Sequence, residues 1–251
     1  MNIFVNKSKI ENIDLVVFDK DGTLIDLHQY WVVMIKLRAE KMCDHYGLSY
    51  EEHRDPLMEA MGIDCENQKI STKGPVGKFA RAKVQQAAEI YLVSLGCDKV
   101  RDVCFEVFAL VDNLSIPLLP QLIRPLTGVT ELILRIKQNE GIVAIATSDK
   151  TQRAQLAMEF IGLADQVDLI VGSDLVNEGK PAPETLNLIQ DKLKISPEKS
   201  VMIGDAETDI EMGQIAGYKA NIGISTGLKS QEELSAYTPY VVEDASQIAI
   251  V

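Results

Sequence analysis

IDLVVFDKDGTL, residues 13–24, is the stretch on which the reading of this chain turns. Ile13 to Phe18 form a short apolar run, broken only by Asp14 and rich in β-branched residues. That is the pattern of a strand buried on both faces, as in a parallel sheet. The run delivers Asp19 at its end and Asp21 two positions later.

Further runs of the same kind follow: GIVAIATSD (141–149), VDLIVGSD (167–174), KSVMIGD (199–205), ANIGIST (220–226) and, as one more edge strand, YVVED (240–244). Segments with helical spacing lie between them at 128–139, 151–161, 183–194 and 207–216, and Gly141, Gly162 and Gly217 stand where C-terminal caps belong. Alternating strands and helices predict an α/β fold, a Rossmann-like parallel sheet sandwiched by helices.

Residues 27–124 break this rhythm, with helical patterns at 27–46, 82–95 and 98–113 and no convincing strand. They read as an inserted α-helical domain, leaving 1–26 and 125–251 as the α/β core. Tyr30, Trp31, Met34, Leu37 and Met42 tend to one side of the first helix and form its packing face. Pro117, Pro120 and Pro125 punctuate the return to the core.

Of 251 residues, 46% are apolar and 25% charged, an ordinary globular balance. The net charge of −12 argues against nucleic-acid and anionic-membrane partners, which are held by Lys and Arg neutralising phosphates. No apolar run reaches the roughly 18 residues of a membrane span, and the N-terminal segment lacks the order of a signal peptide. A cytoplasmic protein, monomer or homodimer, is expected. Cys43, Cys65, Cys97 and Cys104 show no paired spacing and read as buried free thiols.

In an open parallel sheet, ligands bind beyond the carboxyl ends of the strands. Asp19, Asp21, Thr147, Ser148, Asp205 and Asp209 all fall at such ends or one helical turn later, and Lys180 lies in the loop after another strand. Close carboxylates repel unless a cation or proton intervenes, and oxygen-only ligands suit a hard ion such as Mg²⁺. Gly22 and Thr23 form a turn able to aim backbone N–H groups at an anion. Singly, Asp205 and Thr147 would pass for helix caps and Lys180 for a surface lysine. Their joint order along one sheet edge is what points to chemistry.

That ordered set resembles the haloacid dehalogenase superfamily, whose four motifs match FDKDGTL (18–24), Thr147 with Ser148, Lys180 in GKPAPE (179–184), and GDAETD (204–209). The resemblance covers residues 13–26 and about 125–244, while the insert matches only in its position, that of the family's helical cap domain. A phosphoglycolate-phosphatase-like hydrolase is implied, acting on a small phosphorylated substrate. Asp19 would then be the nucleophile that forms an aspartyl-phosphate, and Asp21 the acid and base. Mg²⁺ would be held by Asp19, the backbone carbonyl of Asp21 and Asp205, with Asp209 behind them; Thr147 and Lys180 would bind phosphoryl oxygens. Asp21 argues against dehalogenation, because members that cleave carbon–halogen bonds usually lack an acid there.

KISTKGPVGKFARAK (69–83) carries five basic residues and no acid. Lys73, Lys78 and Arg81 are its candidate contacts to an anionic leaving group. A phosphomutase, a phosphonate hydrolase using a cap lysine, and a catalytically silent binding protein on the same core are the competing readings.

Overall fold

The computed structural model describes residues 1–71, 73–77, 79 and 81–251. Its strands are β1 (Ile3–Val5), β2 (Ser8–Ile10), β3 (Leu15–Phe18), β4 (Ile63–Asp64), β5 (Lys69–Ile70), β6 (Ile142–Ala146), β7 (Leu169–Val171), β8 (Ser200–Gly204), β9 (Ala220–Ile224), β10 (Tyr240–Val242) and β11 (Ile248–Ile250). Its helices are α1 (Leu27–Tyr46), α2 (Tyr50–Met61), α3 (Arg81–Ser94), α4 (Val100–Leu114), α5 (Leu119–Leu122), α6 (Val129–Gln138), α7 (Thr151–Phe160), α8 (Glu184–Leu193), α9 (Glu207–Ile215) and α10 (Gln231–Ser235). Two compact units result, one of Met1–Asp26 with Ile123–Val251 and the other of Leu27–Leu122.

The first unit is built on a six-stranded parallel sheet in the order β10-β9-β8-β3-β6-β7. β3 sits inside it, with Phe18 in register with Ile145 of β6 and Ile203 of β8. Leu15 and Val17 join Leu186 and Ile189 of α8 and Met212 of α9 in one buried cluster. Side chains alternate along a strand, so Val16 and Phe18 face the opposite layer, and all four residues are at most 1% exposed. Each such side chain contributes about 1.5–3 kcal/mol when buried, which is why the strand reads as a continuous apolar run. Register and burial together set Asp19 at the middle of the sheet's carboxyl edge.

Gly162 and Gly217 take the left-handed conformation that ends α7 and α9, but Gly141 does not. After α6 the left-handed residue is Glu140, and the Gly141 N–H donates to the Ile136 carbonyl at 2.9 Å. The chain therefore closes a Schellman motif one residue earlier than the glycine suggests. A second, antiparallel sheet in the order β11-β1-β2 was not expected from the sequence. Its strands have three residues each, too few to show a period.

In the second unit the structure adds α2, the strands β4 and β5 and the short α5 to the expected helices. α2 runs through Pro56, a residue that argues against a helix when read from sequence. It ends on Gly62, whose φ of 109° permits the turn into a two-stranded antiparallel hairpin of β4 and β5. The insert thus contains strands, contrary to the sequence reading, because two-residue strands carry no pattern. Of the expected packing face, Tyr30, Met34 and Met42 are buried, whereas Trp31 and Leu37 are only partly covered. Arg38 is buried beside them at 3% exposure, with its guanidinium 4.2 Å from the Phe108 ring centre and 3.3 Å from Asp112. All four cysteines are free; Cys43 and Cys104 are buried, whereas Cys65 and Cys97 are only partly covered. No single helix among the described residues is long and apolar enough to cross a membrane.

Candidate active site

The loop after β3 is a tight turn anchored on one carbonyl. Leu24 and Ile25 both donate their N–H to the Lys20 carbonyl, at 2.9 and 3.1 Å, and Gly22 donates to Ile25 at 2.9 Å. Gly22 has a φ of +87°, and a Cβ there would stand 2.6 Å from an Asp205 carboxylate oxygen. Only glycine permits both the backbone and the approach. The sequence had offered the Gly22 N–H to an anion; the turn itself takes that donor. Thr23, at 1% exposure, donates its hydroxyl to Asp205 at 3.0 Å rather than presenting it to a ligand.

Lys180 reaches in from the loop after β7 and donates to Asp19 Oδ1 at 2.6 Å and to Asp209 Oδ1 at 2.5 Å. The other Asp209 oxygen accepts from the Ala206 N–H at 3.1 Å, at the start of α9. Asp19, Asp205 and Asp209 are all buried, and each places a carboxylate oxygen within 4.8 Å of the others. Fully ionised, three carboxylates against one ammonium would carry two uncompensated negative charges in a buried cluster of oxygen donors. Such a donor set fits Mg²⁺, a hard divalent cation.

Burial pushes the Asp19 carboxyl above its usual range, partly offset by Lys180. Asp205 is pushed well above it, by burial and then by Asp19 and Asp209. Burial would lower the Lys180 ammonium, but Asp19 and Asp209 outweigh this and hold it above its ordinary value. A divalent cation would relieve the strain on the acids.

Asp21 stands apart from the three-acid cluster. Its carboxylate accepts from Lys20 Nζ at 2.6 Å, and burial raises it above the normal carboxylate range. The side-chain cluster is therefore Asp19, Asp205 and Asp209, without the Asp21 carboxylate. Thr147 is buried at the end of β6 and accepts the Asp149 N–H at 3.1 Å, while Ser148 is exposed. In the other unit Lys73 is exposed. Arg81 pairs with Asp112 and lies 5.2 Å from the Phe108 ring centre, so much of its charge is engaged within its own unit. Lys78 lies outside the described residues. Sequence reasoning missed Lys20 and Asp149, although both lie inside the quoted runs, and it missed Thr226, which donates to the Gly22 carbonyl at 2.6 Å.

Residues 13–217 match the family model of haloacid dehalogenase-like hydrolases. A phosphoglycolate phosphatase from Aquifex aeolicus is 26% identical over 89% of this chain and 91% of its own length. The pyrophosphatase PpaX of Bacillus mycoides is 25% identical over 94% and 95%. Among solved structures, a β-phosphoglucomutase from Clostridium difficile superposes with a TM-score of 0.61 at 18% identity, covering 94% of this chain and 92% of that one, which speaks to the fold alone. The four motif segments at one sheet edge and the family match over most of the chain lead to one assignment: the protein belongs to the haloacid dehalogenase-like hydrolase family.

Proposed function

We propose that the protein is a Mg²⁺-dependent phosphatase that hydrolyses the monoester of a small phosphorylated metabolite through an aspartyl-phosphate on Asp19. The observation that carries this reading is the convergence of Lys180 on Asp19 and Asp209, beside Asp205. The phosphatase and pyrophosphatase names of its relatives support a phosphorylated substrate.

An Asp19 carboxylate oxygen attacks phosphorus, and the bond from phosphorus to the ester oxygen breaks. Asp21 gives its proton to the departing oxygen, a role suited to a carboxyl that burial holds towards its protonated form. Water then attacks the aspartyl-phosphate, Asp21 takes a proton from it, and phosphate leaves with Asp19 restored. Lys180 fixes Asp19 and offers positive charge to phosphoryl oxygens, with Thr147 as a further donor. Asp19, Asp205 and the main-chain carbonyl of Asp21 would hold Mg²⁺, oriented by Asp209; bound there, the ion would neutralise charge between nucleophile and phosphoryl group.

The test is phosphate release from p-nitrophenyl phosphate and a panel of phosphorylated metabolites, with Mg²⁺ and with chelator. Activity should require the metal and vanish in Asp19→Asn. Equal turnover by that variant would sink the mechanism.

A further inference from the structure

Lys20 separates the two acids of the first motif, and its side chain is 3% exposed. Burying an ammonium is costly unless it is paired, and this one is paired on two sides. It donates to Asp21 Oδ1 at 2.6 Å and stands 3.3 Å from Asp149 Oδ2. Asp149 comes from the loop after β6, the strand in register with β3, so the lysine ties the first-motif loop to its neighbour. Asp149 is itself held: its N–H donates to Thr147 Oγ1 at 3.1 Å, and its Oδ1 accepts the Lys150 N–H at 2.8 Å. The Lys20 carbonyl meanwhile anchors the turn that carries Asp21, so both ends of this residue constrain the same segment.

We propose that Lys20, braced by Asp149, is a positioning residue for Asp21, fixing its carboxylate for proton transfer to the leaving group and keeping it apart from the Asp19–Asp205–Asp209 cluster. The ammonium fixes the Asp21 carboxylate from one side, and Asp149 fixes the ammonium. The inference rests on the proposed role of Asp21 as acid and goes beyond it by assigning what orients that acid.

The test is the dependence of kcat/KM on the leaving group, which reports only steps up to cleavage of the ester bond. p-Nitrophenolate departs with little need of a proton, whereas an alkoxide needs one. In Lys20→Met, kcat/KM for an alkyl phosphate should fall at least roughly tenfold further than for p-nitrophenyl phosphate, within the ~10²–10⁴-fold that general acid catalysis supplies. Lys20→Gln should show the same skew, and Lys20→Arg, which keeps the cation, should restore a flatter dependence. A purely structural lysine would lower all esters by one common factor, and that result overturns the proposal. Asp21→Asn separates the two readings. If it shows the steep dependence and Lys20→Met does not, the positioning role fails while the acid role stands; if it shows none, the acid role fails and takes the positioning role with it.

Discussion

The hydroxyl of Thr23 donates to a carboxylate oxygen of Asp205 at 3.0 Å, joining the loop after β3 to the loop after β8 across 182 positions of chain. Partners behind metal-binding carboxylates typically change metal affinity by about 10–100-fold. Thr23→Val should therefore raise the Mg²⁺ concentration needed for half-maximal activity by roughly tenfold, with a smaller change in kcat at saturating metal. A Mg²⁺ titration of the variant checks this.

Gly22→Ala asks a residue with a Cβ to adopt a φ of +87° against the Asp205 carboxylate. Backbone strain of this kind costs about 1–3 kcal/mol. The expected outcome is a lower Tm together with weaker Mg²⁺ activation, because the contact that resists the methyl group is with a residue of the proposed metal site. Thermal melts with and without Mg²⁺ read both effects.

Asp19, Asp21 and Asp205 all have folded-state values raised above the ordinary carboxylate, so the folded state binds their protons more tightly than the unfolded chain does. The stability they contribute is full below the unfolded value of about 3.8 and is lost as pH rises through the raised values. In chelator, these groups should consequently make the protein melt higher at mildly acidic than at neutral pH. Mg²⁺ should raise Tm more at neutral than at mildly acidic pH, because the acids must give up their protons to bind it. Melting curves at both pH values with chelator or Mg²⁺ test the sign.

Arg38→Ala removes a buried cation packed on Phe108 and paired with Asp112, and leaves a hollow in the helical unit. Breaking a buried pair from one side costs about 3–5 kcal/mol, and Arg81 remains on Asp112 to soften the loss. A destabilisation near the lower end of that range is expected by chemical denaturation.

Much of this architecture could be read from the chain because the central strands are buried on both faces and stand out as apolar runs, with their terminal acids falling on one edge. α2 was hidden by Pro56, and the strands β1, β2, β4, β5 and β11 by their length of two or three residues. In the site, the gathering of Asp19, Asp205 and Asp209 follows from their places after the adjacent strands β3 and β8, while Lys180 is brought to them by the long loop after β7. Lys20 with Asp149 does not follow in this way, since that pair depends on the register between β3 and β6 and on the reach of one side chain. The Gly22 donor was misread for a related reason: its carbonyl partner, Ile25, is fixed by a turn that the sequence motif does not display.

The place of β3 also bears on how the protein is made. Its two neighbours, β6 and β8, are encoded far downstream, so during synthesis the segment bearing Asp19 emerges long before either flank exists. Pairings of such long sequence separation are slow to close. Until residue 204 has left the ribosome, the nucleophile's strand cannot be enclosed on both sides, and a nascent chain halted earlier should hold no assembled reaction centre.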